Sequence, residues 1–166
     1  GNLERADYGN GQQVRYGYDN QDRLVSKAYN GDVTPRFQYD YDASGNVGYH
    51  RDNTNGISYR YIYDLADRLA RINNSKGEST EYSYDANSNV SGIKQEIGDK
   101  TYTSEYEYDG DNKPVKAAFD EGTTVSDEYD KLGRMTRSSV DTGSTVYPTD
   151  IGYVRGRTDG AVHVSY

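Results

Sequence analysis

Through short stretches of this chain, large and polar side chains alternate one by one. Gln38 and Asp40 separate Phe37, Tyr39 and Tyr41; Arg60 lies between Tyr59 and Tyr61; Ser83 lies between Tyr82 and Tyr84; Glu107 lies between Tyr106 and Tyr108. A period of two places alternate residues of a β-strand on opposite faces. Val14/Tyr16/Tyr18, Phe37/Tyr39/Tyr41, Tyr59/Tyr61/Tyr63, Tyr82/Tyr84, Tyr102/Tyr106/Tyr108 and Val125/Tyr129 then share an aromatic face. Arg15, Gln38, Asp40, Arg60, Glu81, Ser83, Glu105, Glu107 and Glu128 fall on the opposite, wetted face. The intervening segments are less regular. Leu69 and Ile72, like Val90 and Ile93, are three apart and point to opposite faces unless a bulge intervenes.

Punctuation between these segments recurs in phase. Tyr-x-Tyr-Asp occurs at Tyr16 to Asp19, Tyr39 to Asp42, Tyr61 to Asp64, Tyr82 to Asp85 and Tyr106 to Asp109, and a degenerate copy ends in Tyr129-Asp130. Three residues after each Asp comes a residue that tolerates positive φ, followed by Arg, Asn or Lys: Asp22-Arg23, Gly45-Asn46, Asp67-Arg68, Ser88-Asn89, Asn112-Lys113 and Gly133-Arg134. An apolar residue usually follows, as in Leu24, Val47, Leu69, Val90 and Met135. Such an Asp-initiated sequence suits a type I turn followed by a left-handed residue, with the Asp carboxylate accepting from turn amides. Asp19, Asp42, Gly45, Asp64, Asp85, Asp109, Asp130 and Gly133 are therefore expected to be structural turn residues. A second turn signal lies about ten residues further on in each unit, at Asn30-Gly31, Asn55-Gly56, Lys76-Gly77, Gly98-Asp99, Glu121-Gly122 and Thr142-Gly143. Two turns per period of about 22 leave strands of roughly seven or eight residues and no room for helices.

The expected fold class is all-β: tandem β-hairpin repeats forming a curled antiparallel sheet, a single array segment over residues 1–166. Gly1-Asn2-Leu3 reads as the tail of a repeat, and Gly156-Arg157 and Asp159-Gly160 continue the phase near the other end. The segment is thus expected to be truncated in mid-repeat at both ends. Repeats bury their faces against neighbours.

Composition sharpens this picture. With 27 acidic and 19 basic side chains the net charge is −8, which argues against nucleic acid as a partner. Leu, Ile, Val and Phe number only 25 of 166, a level typical of disordered chains. The 19 tyrosines supply the missing area, so any packed interior is built from phenol rings whose hydroxyls need partners. Cross-strand aromatic pairs contribute about 0.2–1 kcal/mol each, against roughly 1–2 kcal/mol per residue for ordering the backbone. The tyrosine face must then be covered by curling or by neighbouring repeats. The absence of Cys excludes disulfides and thiolate metal sites, and no apolar run is long enough for a membrane span or a signal sequence. Composition leaves a cytosolic protein or an internal piece of an exported one.

Tyr-x-Tyr-Asp-x-x-Gly-Arg/Asn-Leu with a second Gly turn at this period resembles the YD repeat of the Rhs family, and Tyr41-Asp42-Ala43-Ser44-Gly45-Asn46-Val47 is among its closest copies. That family includes bacterial Rhs and wall-associated polymorphic toxins, the shell component of insecticidal toxin complexes, and the teneurins. The resemblance implies a hairpin strip that spirals into a hollow shell, often around a toxin domain, in a secreted or cell-surface protein. Its partners would be neighbouring repeats and an encapsulated toxin domain. The Asp-Pro-x-Gly signature of the family's self-cleaving core end is missing, so that activity does not carry over. Exposed edge strands would favour pairing between copies.

No catalytic, cofactor or metal residues are expected. The repeating carboxylates have turn duties, and no pair stands apart as a glycosidase pair would. Asp40-x-Asp42-x-Ser44-Gly45 mimics the start of a calcium loop, but its twelfth position is Arg51. His50 and His163 are isolated in sequence, and His50 is expected to be dispensable. Arg23, Arg68, Lys113 and Arg134 line one turn edge, where cross-repeat hydrogen bonding is the favoured use. Two functions stay open: a non-catalytic shell segment, or a carbohydrate-binding, adhesin-like module. The platform for surface glycans would be Tyr39, Tyr41, Tyr59, Tyr61, Tyr63, Tyr82 and Tyr84.

Overall fold

The computed structural model describes residues 1–153 and 162–165. Its strands are β1 (Arg5–Asp7), β2 (Gln13–Tyr18), β3 (Leu24–Tyr29), β4 (Phe37–Tyr41), β5 (Val47–Asp52), β6 (Ile57–Tyr63), β7 (Leu69–Asn74), β8 (Ser79–Tyr84), β9 (Val90–Ile97), β10 (Lys100–Tyr108), β11 (Pro114–Phe119), β12 (Thr124–Tyr129), β13 (Met135–Asp141), β14 (Val146–Tyr153) and β15 (Val162–Ser165). The one helical element among the described residues is a single 3₁₀ turn at Asp120–Gly122. The turns expected at Gly156-Arg157 and Asp159-Gly160 lie outside the described residues.

Two compact units make up the chain. One comprises Gly1–Glu81 with Glu96–Asp99, the other Tyr82–Gln95 with Lys100–Tyr166. In the first, β1 through β7 pair antiparallel, each with the next in sequence, and β7 pairs with the start of β8 from Asn73↔Ser79 to Arg71↔Glu81. In the second, β10 through β15 do the same. This is the all-β, tandem-hairpin architecture that the alternation and the turn spacing require.

A bulge follows the residue after the Arg/Asn/Lys position in five of the repeats. Asp40 pairs with Tyr49 but Tyr41 with Val47, which leaves Gly48 as the extra residue. Val25, Ala70, Val115 and Thr136 are extra in the same sense. A bulge shifts alternation by one residue. Leu69 consequently pairs with Tyr63 and Ile72 with Tyr61, so both apolar residues join the tyrosine face in spite of their spacing.

In neither unit does the sheet curl over its own tyrosine face. Val14 is the buried apolar side chain among the described residues, and the tyrosines of β2, β4 and β6 are half-buried. The expected curl is thus corrected to an open sheet. The physical reason is lateral: residues directly opposite across strands stand about 4.5–5.5 Å apart, so a row of rings shields its own flanks and leaves only its outer surface wet.

Candidate functional site

Each repeat closes on its aspartate. In the first unit the Asp64 amide donates to the Arg68 carbonyl oxygen at 2.8 Å and the Asp67 amide to the Asp64 carbonyl oxygen at 3.1 Å, with φ of 57° at Asp67. Asp64 Oδ1 accepts from the amides of Ala66 and Arg68 at 2.8 and 3.0 Å, and Oδ2 accepts from Arg68 Nε at 2.8 Å. The same backbone pair of bonds recurs at Asp19, Asp42, Asp85, Asp109 and Asp130, with positive φ at Asp22, Gly45, Ser88, Asn112 and Gly133. One carboxylate thereby satisfies two turn amides and holds the side chain four residues on, which explains why that place carries Arg, Asn or Lys. The Arg23, Arg68 and Lys113 amides are the leading cause that keeps Asp19, Asp64 and Asp109 below the usual carboxylate range. At Asp130 the Arg134 side chain leads. Carboxylates held ionised and occupied in this way are poorly placed to act as general acids.

Within each unit the second tyrosine of the motif reaches back one repeat. Tyr18, Tyr41 and Tyr63 donate their hydroxyls to the carbonyl oxygens of Leu3, Leu24 and Val47 at 3.0, 2.8 and 3.0 Å. In the second unit Tyr108 and Tyr129 donate likewise to Val90 and Pro114 at 2.9 and 2.8 Å. Every acceptor is the residue that follows the Arg/Asn/Lys position of the preceding repeat, which includes the Leu3 of Gly1-Asn2-Leu3. Sequence patterning misses these acceptors because they are backbone groups. The available signal was the sixth copy, which has Asp127 in place of the first tyrosine but keeps Tyr129.

Further ties run along the turn edge. The Arg23 guanidinium stands 4.5 Å from the centre of the Tyr41 ring, and Lys113 Nζ 5.7 Å from that of Tyr129. Where the position is Asn, it donates to the next turn instead: Asn46 Nδ2 to Asp67 Oδ1 at 3.3 Å, and Asn89 Nδ2 to Asn112 Oδ1 at 2.8 Å.

The seven candidate glycan-platform tyrosines divide by environment. Tyr41 and Tyr63 have their hydroxyls committed to Leu24 and Val47. Tyr39 and Tyr59 sandwich His50, with ring centres 4.9 and 5.8 Å away and planes within 6° and 13° of parallel; Phe37 stacks on the same imidazole at 6.0 Å. Burial pushes the phenols of Tyr39, Tyr61 and Tyr63 upward. Tyr82 and Tyr84, in the second unit, are half-buried on β8. His50 is therefore a member of an aromatic row, and its buried Nε2 has no hydrogen-bond partner. Asp42 of the calcium-loop mimic accepts from the Asn46 amide at 2.9 Å, so its carboxylate already serves the turn. Among the described residues no three His, Cys, Asp or Glu side chains converge as a metal site would require, and no helix is long and apolar enough to cross a membrane.

Neither a family model nor a curated protein matches the chain. Solved structures do share its fold. It is similar to the Tc holotoxin pore of Photorhabdus luminescens, with a TM-score of 0.78 over 91% of this chain at 19% identity. Crystal structures of TcdB2-TccC3-TEV and TcdB2-TccC3 give TM-scores of 0.79 and 0.73 over 91% and 85% of this chain, at 18% and 19% identity. The chain spans 9% of the length of each of these.

Proposed function

We propose that this chain is a non-catalytic wall segment of a YD-repeat shell, part of a large secreted or cell-surface bacterial protein that encloses or presents a toxin or effector domain. The observation that carries this reading is the recurring tyrosine-to-carbonyl bond, which joins successive repeats within each unit. The fold shared with the Tc toxin structures supports the same reading, as does the phased motif. Neighbouring repeats are then the direct partners, and the half-buried tyrosine face is the surface they would complete. A glycan platform on that face has weaker support, because the Tyr41 and Tyr63 hydroxyls that would bind a sugar already bond to the backbone.

Protease protection tests the enclosing role. The complete polypeptide that contains this chain is expressed and digested before and after mild denaturation. A domain that resists cleavage until the hairpin strip is unfolded is expected. Equal digestion of every other domain in the native state would overturn enclosure.

A further inference from the structure

The repeat chemistry is interrupted once in the second unit, where β10 outruns β11. Their register begins at Ser104↔Phe119, so Lys100–Thr103 extend past the end of β11. Tyr102, two residues before Ser104, therefore lies on the face that carries Phe119. Both rings are open, at 43% and 41% exposure, while Phe119 meets Tyr106 edge-on with ring centres 6.5 Å apart. These rings line an open groove of about 660 Å³, with Lys100 and Glu121 also in its wall, a size within the range of small-ligand sites.

The polar groups here differ from those of the repeat junctions. The Lys100 ammonium, the Tyr102 hydroxyl and the Glu121 carboxylate have no partner among the described residues, whereas the junction groups are bonded. Glu121 also holds φ at 69°, a left-handed conformation that favours Gly or Asn over Glu. Lys100 stands against Asp120 and Glu121 in the wall, a balance that disfavours an anionic ligand. The groove thus offers aromatic side chains with separate donors and acceptors around them, which suits a neutral sugar ring: C–H groups on its faces, hydroxyls around its edge.

Competing occupants fit less well. An added peptide strand would need the free amides of Lys100–Thr103, but the Thr103 amide donates to Asp120 Oδ2 at 2.6 Å and the Thr103 hydroxyl to Asp120 Oδ1 at 2.5 Å. Nucleic acid would meet a chain of net charge −8. We infer that the Tyr102–Phe119 groove is a binding subsite for a neutral pyranose, separate from the Tyr39–Tyr63 row and on a part of the aromatic face that neighbouring repeats would leave open.

Amide NMR titration of the chain with cellotetraose and with chitotetraose tests this. Shifts confined to Lys100–Ser104 and Phe119–Gly122 are expected with at least one probe, at dissociation constants on the order of millimolar. Tyr102→Ala should weaken binding about tenfold or more. Glu121→Gly removes the carboxylate while relieving the left-handed strain, so it should weaken binding and leave the melting temperature equal or higher. No shifts with either probe, shifts that persist undiminished in both variants, or shifts that follow protein concentration without sugar would each overturn the proposal.

Discussion

The Tyr63 hydroxyl donates to the Val47 carbonyl oxygen at 3.0 Å across the boundary between two repeats. The bond explains why this position is tyrosine in every copy of the motif, since phenylalanine would supply the ring area without the donor. Tyr63→Phe should cost about 1 kcal/mol, the net value of such a bond, and lower the melting temperature by roughly 2–4 °C. Tyr61→Phe, two residues away on the same face, should be nearly neutral. Equal effects in thermal unfolding would remove the bond from the account.

Gly45 holds φ at 93° directly after the Asp42 turn. Gly45→Val should therefore cost about 1–2 kcal/mol or more, and Gly45→Asn much less, because Asn tolerates the left-handed region. Gly133→Val should cost a similar amount, because the Cβ there meets only the flexible end of Lys113, 2.8 Å from Cε, while nothing lies within 4 Å of the Gly45 Cβ position. Urea denaturation of the three variants ranks them.

His50 lies between Tyr39 and Tyr59 with a buried, unpartnered Nε2. His50→Ala should cost on the order of 1 kcal/mol in lost stacking beyond the area exposed. His50→Phe keeps a flat ring and removes the unsatisfied nitrogen, so it should match or exceed the wild-type melting temperature.

Titration sets the limits of the stable pH range. Asp19, Asp64, Asp109 and Asp130 are depressed in the folded chain. Their contribution is fully present above the ordinary carboxylate value of about 3.9 and is lost as pH falls through the lower folded values. Tyr39, Tyr61, Tyr63 and Tyr129 are raised, first by burial. Theirs is present below the ordinary phenol value of about 10 and is lost as pH rises through the higher folded values. Melting temperature against pH should fall away below about 4 and above about 10.

The sequence made the hairpins legible because their turns depend on side chains: Asp accepts the turn amides, and Gly, Asn or Asp takes the positive φ. Ser88, the poorest fit to that rule, still adopts φ of 68° because the flanking strands fix the turn around it. The bulges were legible only in part: the three-residue spacing of Leu69 and Ile72 pointed to one, but not to its place. Their extra residues, Val25, Gly48, Ala70, Val115 and Thr136, share no side-chain chemistry, and what defines them is a backbone register. The role of His50 was hidden for a related reason. Its ring partners lie on two neighbouring strands at Tyr39 and Tyr59, and only the pairing register brings them together.

The central claim, that this chain is passive wall, is tested most directly by a cryo-electron microscopy structure of the complete polypeptide that contains it. The account predicts these hairpins in the wall of an enclosure, flanked by further repeats, with the Tyr63 to Val47 bond repeated across each boundary. Hairpins standing free of any enclosure, with the tyrosine face open to solvent on its full length, would contradict it.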